Sequence, residues 1–284
     1  MIVNPSHNIN SASPLNSKAV KLALLIDVNE QHICIVRFDK ENNSFEGLEY
    51  FYLFQFNSTE IVDILKTIGK KYEPLKDNID RVLVYYSTRD TLLVPQPLFS
   101  NNTFKWMAEQ SLGKTQNEIL FKENLKALDL ITVYPIPQYL HNAMLSVFPK
   151  AEFSNFNAEW LRKTLKENLP SNLFEVLFFP KMITVVIWQN SKLQIVQSYP
   201  YENQEDALFY LLSIVSTFKL SSENIDTRLS GLIDLQSPVF EAILKMFPNL
   251  SVYQRPENCI YHDEFDTHPN HFFSPVLSLE SCVS

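Results

Sequence analysis

Asn142-Ala-Met-Leu-Ser-Val-Phe-Pro149-Lys-Ala-Glu-Phe153 and Glu241-Ala-Ile-Leu-Lys-Met-Phe-Pro248-Asn-Leu-Ser-Val252 lie 99 residues apart, with Ala, Leu, Phe and Pro coinciding. In both, an apolar helical period is stopped by Phe-Pro, because proline cannot continue a helix, and a short strand follows. Each is preceded by a strand-like run, Leu130 to Tyr134 in one case and Ser230 to Ile233 in the other. Outward from this pair the two halves stay in step. Leu22 to Val28, His32 to Phe38 and Phe45 to Phe56 are β-rich runs separated by the turn segments Asn29-Glu30-Gln31 and Asp39 to Ser44. Ser58-Thr59-Glu60 gives an N-cap signature ahead of Ile61, Ile64, Leu65 and Ile68, which predicts a helix over about 59–73. Pro74 ends it, and Ile79 to Tyr86 reads as a further strand. The second half repeats the order: strands over Leu173 to Phe179, Met182 to Trp188 and Leu193 to Tyr199, a helix over Glu205 to Phe218, and a strand over Ile225 to Leu232. Two β-β-β-α-β-α-β units are expected, a tandem duplication whose alternative is chance likeness between two amphipathic helices.

The first half carries an extra block, Thr91 to Leu128, with a proline-flanked strand (Leu92 to Val94) and a helix (Asn102 to Leu112). The expected map is a disordered leader over 1–19, a first lobe over 20–170 with a small inserted subdomain at about 88–128, a second lobe over 171–256, and a C-terminal extension over 257–284 that packs back on the body. The leader reads as frayed because Ser6 to Ser17 is rich in Ser and Asn and lacks the basic and apolar regions of a signal peptide. The fold class is α/β, mixed α+β, with mixed sheets flanked by helices and a cleft between the halves.

Composition narrows the chemistry. The chain has 284 residues, 45% hydrophobic and 20% charged, a globular profile. It holds only four glycines, Gly47, Gly69, Gly113 and Gly231, no two of them close in sequence. This excludes the dinucleotide loop, the Walker loop and the nucleophile elbow, each of which needs closely spaced glycines. A net charge of −8 offers no field for phosphate backbones or anionic membranes, so no nucleic acid partner is expected. Cys34, Cys259 and Cys282 are too few for a disulfide framework and point to a reducing, cytoplasmic setting. The apolar tract Phe174 to Trp188 is broken by Pro180-Lys181, and Ala207 to Phe218 is too short to span a bilayer, so no transmembrane segment is expected.

Val82-Leu-Val-Tyr-Tyr86, Thr91-Leu-Leu-Val-Pro-Gln-Pro97 with the helix after it, and Asp129-Leu-Ile-Thr-Val-Tyr134 follow the order of strand, lid-like insertion and return strand. In this the sequence resembles the actin-like ATPase superfamily, specifically its bacterial branch with FtsA and PilM, over about residues 20–254. More narrowly, Ser87-Thr-Arg-Asp-Thr-Leu-Leu-Val-Pro95 and Phe148-Pro-Lys-Ala-Glu-Phe153 resemble a bacterial family of unknown function with that fold. The resemblance implies duplicated ribonuclease H-like, actin-like lobes and a site for ATP and Mg. In the superfamily the first hairpin carries Asp-x-Gly, whose Asp orients a magnesium-bound water and whose amides hold phosphate. The match here is Asp27-Val28-Asn29, with Asn in place of Gly; Asn tolerates positive φ, but its side chain crowds the phosphate path. The second hairpin has Phe179-Pro180-Lys181, lacking both Asp and Gly, and proline removes an amide donor. For the adenosine side the candidate is Ser230-Gly231. The leading expectation is a degenerate, non-catalytic interaction or scaffold module that meets a protein partner or self-associates. The alternative is a Mg-dependent ATPase using Asp27, Asn29, Ser230 and Gly231.

Other constellations have plainer readings beside them. Gly113-Lys114-Thr115 mimics the end of a Walker loop, but Ala108 stands where its glycine is needed, and Gly113 fits a helix C-cap. Cys259-x-x-His262 with His268-x-x-His271 is the best metal candidate, a spacing that could close on zinc, set against a short solvated loop. The β-β-β-α-β order is also that of ribonuclease H, whose two-metal chemistry needs converging carboxylates. Asp27 is a candidate for it, while Asp80, Asp90, Asp129 and Glu175 have no spacing that forces convergence. His141 has no Ser or Cys motif beside it and reads as structural or exposed. The aromatic runs Tyr50 to Phe54 and Leu177 to Phe179 read as core.

Overall fold

A computed structural model describes residues 4–10, 21–113 and 116–282. The chain divides into two units: the described residues up to Lys163 with 257–267 and 279–282, and residues 164–256 with 268–278. The C-terminal extension is thus shared between the units and does not act as one piece. Its strand Ile260–Tyr261 pairs with Ser44 and Phe45 of the first unit, while the His271 carbonyl accepts from the Gly231 amide in the second.

In the first unit the elements run β1 (His7–Asn10), β2 (Leu22–Val28), β3 (His32–Asp39), β4 (Ser44–Tyr52), α1 (Ser58–Tyr72) and β5 (Ile79–Tyr86). There follow β6 (Leu92–Pro95), α2 (Phe104–Leu112), β7 (Glu118–Leu125), β8 (Leu130–Pro137), α3 (Gln138–Val147), β9 (Glu152–Asn155) and α4 (Phe156–Thr164). The leader reading is corrected at β1, which pairs antiparallel with β4. Ile9 is buried there, and the Asn10 side chain accepts from Arg37 at 2.7 Å, so this segment has partners that outweigh its polar composition. The rest of the expected leader lies outside the described residues. The main sheet has the order β1-β4-β3-β2-β5-β9. Every residue of β2 and β3 is buried, the pattern of strands covered on both faces. Ile61, Ile64, Leu65 and Ile68 of α1 pack on it, each contributing on the order of 2 kcal/mol relative to exposure. The helix is capped by Asn57, one residue before the expected Ser58, in a reciprocal box with Glu60.

The inserted block forms a separate three-stranded sheet, β6-β8-β7, with α2 closed by Gly113 at φ +89. It therefore extends to Pro137, beyond the expected 128. The run Leu130 to Tyr134 is its central strand and has no place in the main sheet, because the chain must cross the insertion to reach α3. Lys114 and Thr115 lie outside the described residues.

In the second unit β10 (Leu173–Phe179), β11 (Met182–Gln189), β12 (Lys192–Pro200), α5 (Gln204–Phe218), β13 (Asp226–Gly231), α6 (Pro238–Met246) and β14 (Leu250–Val252) follow one another. The sheet order is β12-β11-β10-β13-β14, with two antiparallel pairs followed by two parallel ones. That is the order and sense of β4-β3-β2-β5-β9. The core of this unit gathers Phe174, Ile183, Ile187, Leu211, Leu229, Ile243 and Phe247.

Candidate functional site

At the first hairpin the backbone turns from β2 to β3 through Asn29, and the side chain of Asn29 fills the turn. Its Oδ1 accepts from the amides of Gln31 at 2.7 Å and His32 at 2.9 Å, and its Nδ2 donates to the Ser87 carbonyl at 3.0 Å. The Asn29 amide itself donates to the His32 carbonyl at 3.0 Å. Asn29 is not among the residues with positive φ, so the turn holds without the left-handed conformation a glycine would supply. Three amides of the kind that hold phosphate are spent within the turn. Asp27 is engaged in the same way. Its Oδ2 accepts from His32 Nε2 at 2.9 Å, and its Oδ1 accepts from the Ser87 hydroxyl. With 2% of its surface exposed, Asp27 presents no open oxygen to a hydrated cation. His32 is itself fully buried and stacked on Tyr50.

The second hairpin, between β10 and β11, is the two-residue turn Pro180-Lys181, with Lys181 at φ +58. Pro180 has no amide to offer, the Lys181 carbonyl accepts from the Tyr201 amide, and Lys181 Nζ reaches the Glu202 carbonyl at 2.8 Å. Ser230 is buried at the end of β13. Gly231 has φ +88, and a Cβ placed there would stand 2.1 Å from the Phe178 carbonyl oxygen. Only glycine fits. Its amide donates to the His271 carbonyl at 2.9 Å, and His271 Nε2 donates to the Ile233 carbonyl at 2.9 Å. Gly231 serves chain packing, with its amide already taken.

That bond fixes the His271 ring by its Nε2 and leaves only Nδ1 as a possible ligand atom. Cys259 and His262 belong to the first unit and His268 and His271 to the second. Cys259 Sγ donates toward Asn43 Oδ1 at 3.7 Å, and burial pushes its thiol up to about 11. His268 packs edge-on against Phe273, and burial lowers its pKa. Among the described residues no three His, Cys, Asp or Glu side chains are grouped to hold a metal ion. The carboxylates of the nuclease reading are likewise dispersed: Asp129 ends a turn in the left-handed region, Asp90 lies beside Arg89 at 3.6 Å, Asp80 is exposed on β5, and Glu175 pairs with Arg228 at 3.3 Å. His141 is buried, its Nδ1 accepting from the Tyr86 hydroxyl at 2.8 Å, with Phe121 and Phe153 edge-on at 4.9 Å.

A cavity of about 280 Å³ opens in the first unit where β9, an edge of the main sheet, meets β7, an edge of the inserted sheet. Glu123 of β7 joins the two. Its carboxylate accepts from Tyr134 OH at 2.5 Å, Ser154 Oγ at 2.8 Å, Arg162 Nη1 at 3.2 Å and the Asn155 amide. Burial and this carboxylate push the Tyr134 phenol well above its ordinary range. At the rim, Arg81 and Glu152 form a bidentate pair with both bonds at 2.9 Å, which lowers the Glu152 pKa. The cavity thus offers paired charges beside two sheet edges, with the Ser154 hydroxyl held between the Glu123 and Glu159 carboxylates.

A family model matches residues 10–250, under the description "protein of unknown function (DUF3822)". The chain belongs to the DUF3822 family. No curated protein matches the sequence. Among solved structures, a Bacteroides thetaiotaomicron protein with an actin-like ATPase fold and unknown function is similar with a TM-score of 0.72 at 16% identity, covering 84% of this chain and 92% of that one. A chain of the PilM–PilN type IV pilus biogenesis complex is similar at 0.63 and 12% identity, covering 92% and 98%. The cytoplasmic domain of EpsL, an inner-membrane component of the Vibrio cholerae type II secretion system, follows at 0.51 and 12%, covering 93% and 96%. The DUF3822 chain therefore has the actin-like ATPase fold, as the resemblance of residues 82–97 and 148–153 implied. No helix among its described residues is long and apolar enough to cross a membrane.

For this DUF3822 chain the sequence located Asp27 and Asn29 but not the groups that occupy them. His32 and Ser87 escaped notice because their roles depend on the β2–β3 register and the β2–β5 pairing. Glu123 was missed because β7 carries no clean alternation: its residues run exposed or half-buried almost throughout.

Proposed function

We propose that this DUF3822 protein is a non-catalytic interaction module in which an actin-like fold has given up nucleotide chemistry. The observation that carries the reading is the Asn29 side chain seated on the Gln31 and His32 amides, beside an Asp27 whose two oxygens are bonded internally. A phosphate would have to displace bonds that the chain makes to itself, and an Asn cannot withdraw as a glycine's missing side chain does. The matching sheet orders support a duplication of one ancestral unit. The cavity between β9 and β7 supports the interaction side: it is where a segment of a protein partner would lie, its main chain along the open edges and its charged groups against Arg81, Glu152 and Arg162. The structurally similar PilM chain is found in a complex with PilN, which favours a protein partner here as well. The free thiols Cys34 and Cys259 support a cytoplasmic setting.

Thermal melts with excess Mg-ATP test this. Nucleotide at a hundred times its dissociation constant would add ~2.7 kcal/mol to stability. The expected result is no shift at millimolar Mg-ATP. An upward shift that Asp27→Asn abolishes would establish nucleotide binding and overturn this reading.

A further inference from the structure

α1 and α5 occupy the same place in the two units, span 15 residues each and begin at an Asn inside a reciprocal capping box, Asn57 and Asn203. Counting from these caps aligns their outer faces residue by residue. On α1 the exposed stripe reads Thr59, Asp63, Lys66, Lys70 and Glu73, and Asp63 pairs with Lys66 at 3.4 Å. This is an ordinary solvated face. On α5 the same stripe reads Glu205, Phe209, Leu212, Ser216 and Lys219, all exposed. Phe209 is 68% and Leu212 47% exposed, and from Ala207 to Phe218 there is no charged residue. Two equivalent positions, one charged and one apolar, mark the α5 face as built to be covered.

The stripe also states what covers it. Its spacing, four then three then four then three residues, is that of a coiled-coil seam. Set against a second α5 in antiparallel sense, the seam complements itself: Leu212 meets Leu212 on the two-fold axis, bulky Phe209 meets small Ser216, and Glu205 meets Lys219 over a helix length of about 21 Å. A parallel arrangement would oppose Phe209 to Phe209 and like charge to like charge at both ends. We propose that the protein forms a two-fold homodimer through antiparallel α5 helices, with Leu212 on the axis. One helix pair covers less than the ~1,200 Å² of a standard stable interface, so the dimer is of the weak, concentration-dependent class.

Sedimentation equilibrium of the full chain from micromolar to near-millimolar concentration tests this. The wild type shifts from monomer to dimer across the series, and Phe209→Glu weakens association at least tenfold. Glu205→Lys and Lys219→Glu each weaken it by about threefold or more, the opposed pairs being rim charges counted twice by symmetry. The double reversal Glu205→Lys with Lys219→Glu restores it, which only antiparallel contact explains. In a Cys259→Ser, Cys282→Ser background, Leu212→Cys cross-links to itself on oxidation with diamide, whereas Glu205→Cys does not. Circular dichroism and melting temperature, unchanged in these surface variants, separate loss of association from loss of fold. A wild type that stays monomeric throughout overturns the proposal, as does a dimer indifferent to Phe209→Glu or one whose double reversal fails to recover.

Discussion

Replacing Asn29 by Ala removes one side chain and, with it, three hydrogen bonds at 2.7, 2.9 and 3.0 Å. At a net worth of about 1 kcal/mol each the loss would be about 3 kcal/mol. Asn29 is half-buried, so water reaches part of the vacated turn and rehydrates some of the freed amides, leaving a cost of about 2 kcal/mol. Backbone strain adds nothing, because Asn29 lies outside the left-handed region and Ala accepts its conformation. For a unit of this size about 2 kcal/mol lowers the melting temperature by roughly 4–8 °C. Asn29→Asp keeps the two accepting bonds but turns a carboxylate oxygen toward the Ser87 carbonyl, so it too should melt below wild type. Differential scanning calorimetry of the three proteins at neutral pH measures both. If Asn29→Ala melted within a degree of wild type, the side chain would not be holding the turn, and the case for a self-occupied phosphate loop would fail.

Gly231→Ala forces a Cβ to within 2.1 Å of the Phe178 carbonyl at φ +88, and a loss above ~4 kcal/mol is expected, read as little soluble protein or a collapsed melting temperature. Glu123→Ala strands the Tyr134 hydroxyl and the Asn155 amide at the joint of the two sheets, while Ser154 keeps its bond to Glu159. A cost of about 2–4 kcal/mol should appear in thermal melts, and a near-native melt would mean that the joint does not depend on this carboxylate. Burial holds the His141 pKa below its ordinary 6.5, so the unfolded chain takes up this proton more readily than the folded one. Its contribution is therefore intact above pH 6.5 and is lost as the pH falls from there toward the folded-state pKa. Melts from neutral to mildly acidic pH should fall more steeply for wild type than for His141→Phe, and parallel curves would refute the assignment.

What could be read from the sequence was whatever depends on neighbours along the chain. The helices expected over about 59–73 and 205–218, which form over 58–72 and 204–218, were visible because apolar periods are local, though their caps are Asn57 and Asn203, and the Phe-Pro stops at 148–149 and 247–248 marked where α3 and α6 end. Gly113 announced a helix end by its residue type alone. The failures are long-range. Nothing in His7-Asn-Ile-Asn10 reveals that β4 has an open edge for it, and nothing in Leu130 to Tyr134 shows that its partners are β6 and β7. Asp27 and Asn29 stood out against the superfamily pattern, yet their chemistry turns on Ser87, 60 residues from Asp27 and joined to it through the β2–β5 pairing. Gly231 was read as a ligand contact because glycine at a strand end is ambiguous until the Phe178 backbone is seen against it.

The most direct test is amide hydrogen exchange at the first hairpin, followed by NMR with and without millimolar Mg-ATP. The amides of Asn29, Gln31 and His32 should be protected in the protein alone, and neither their exchange nor their chemical shifts should respond to nucleotide. Rapid exchange of these three, or a nucleotide-dependent shift centred on them, would contradict the account.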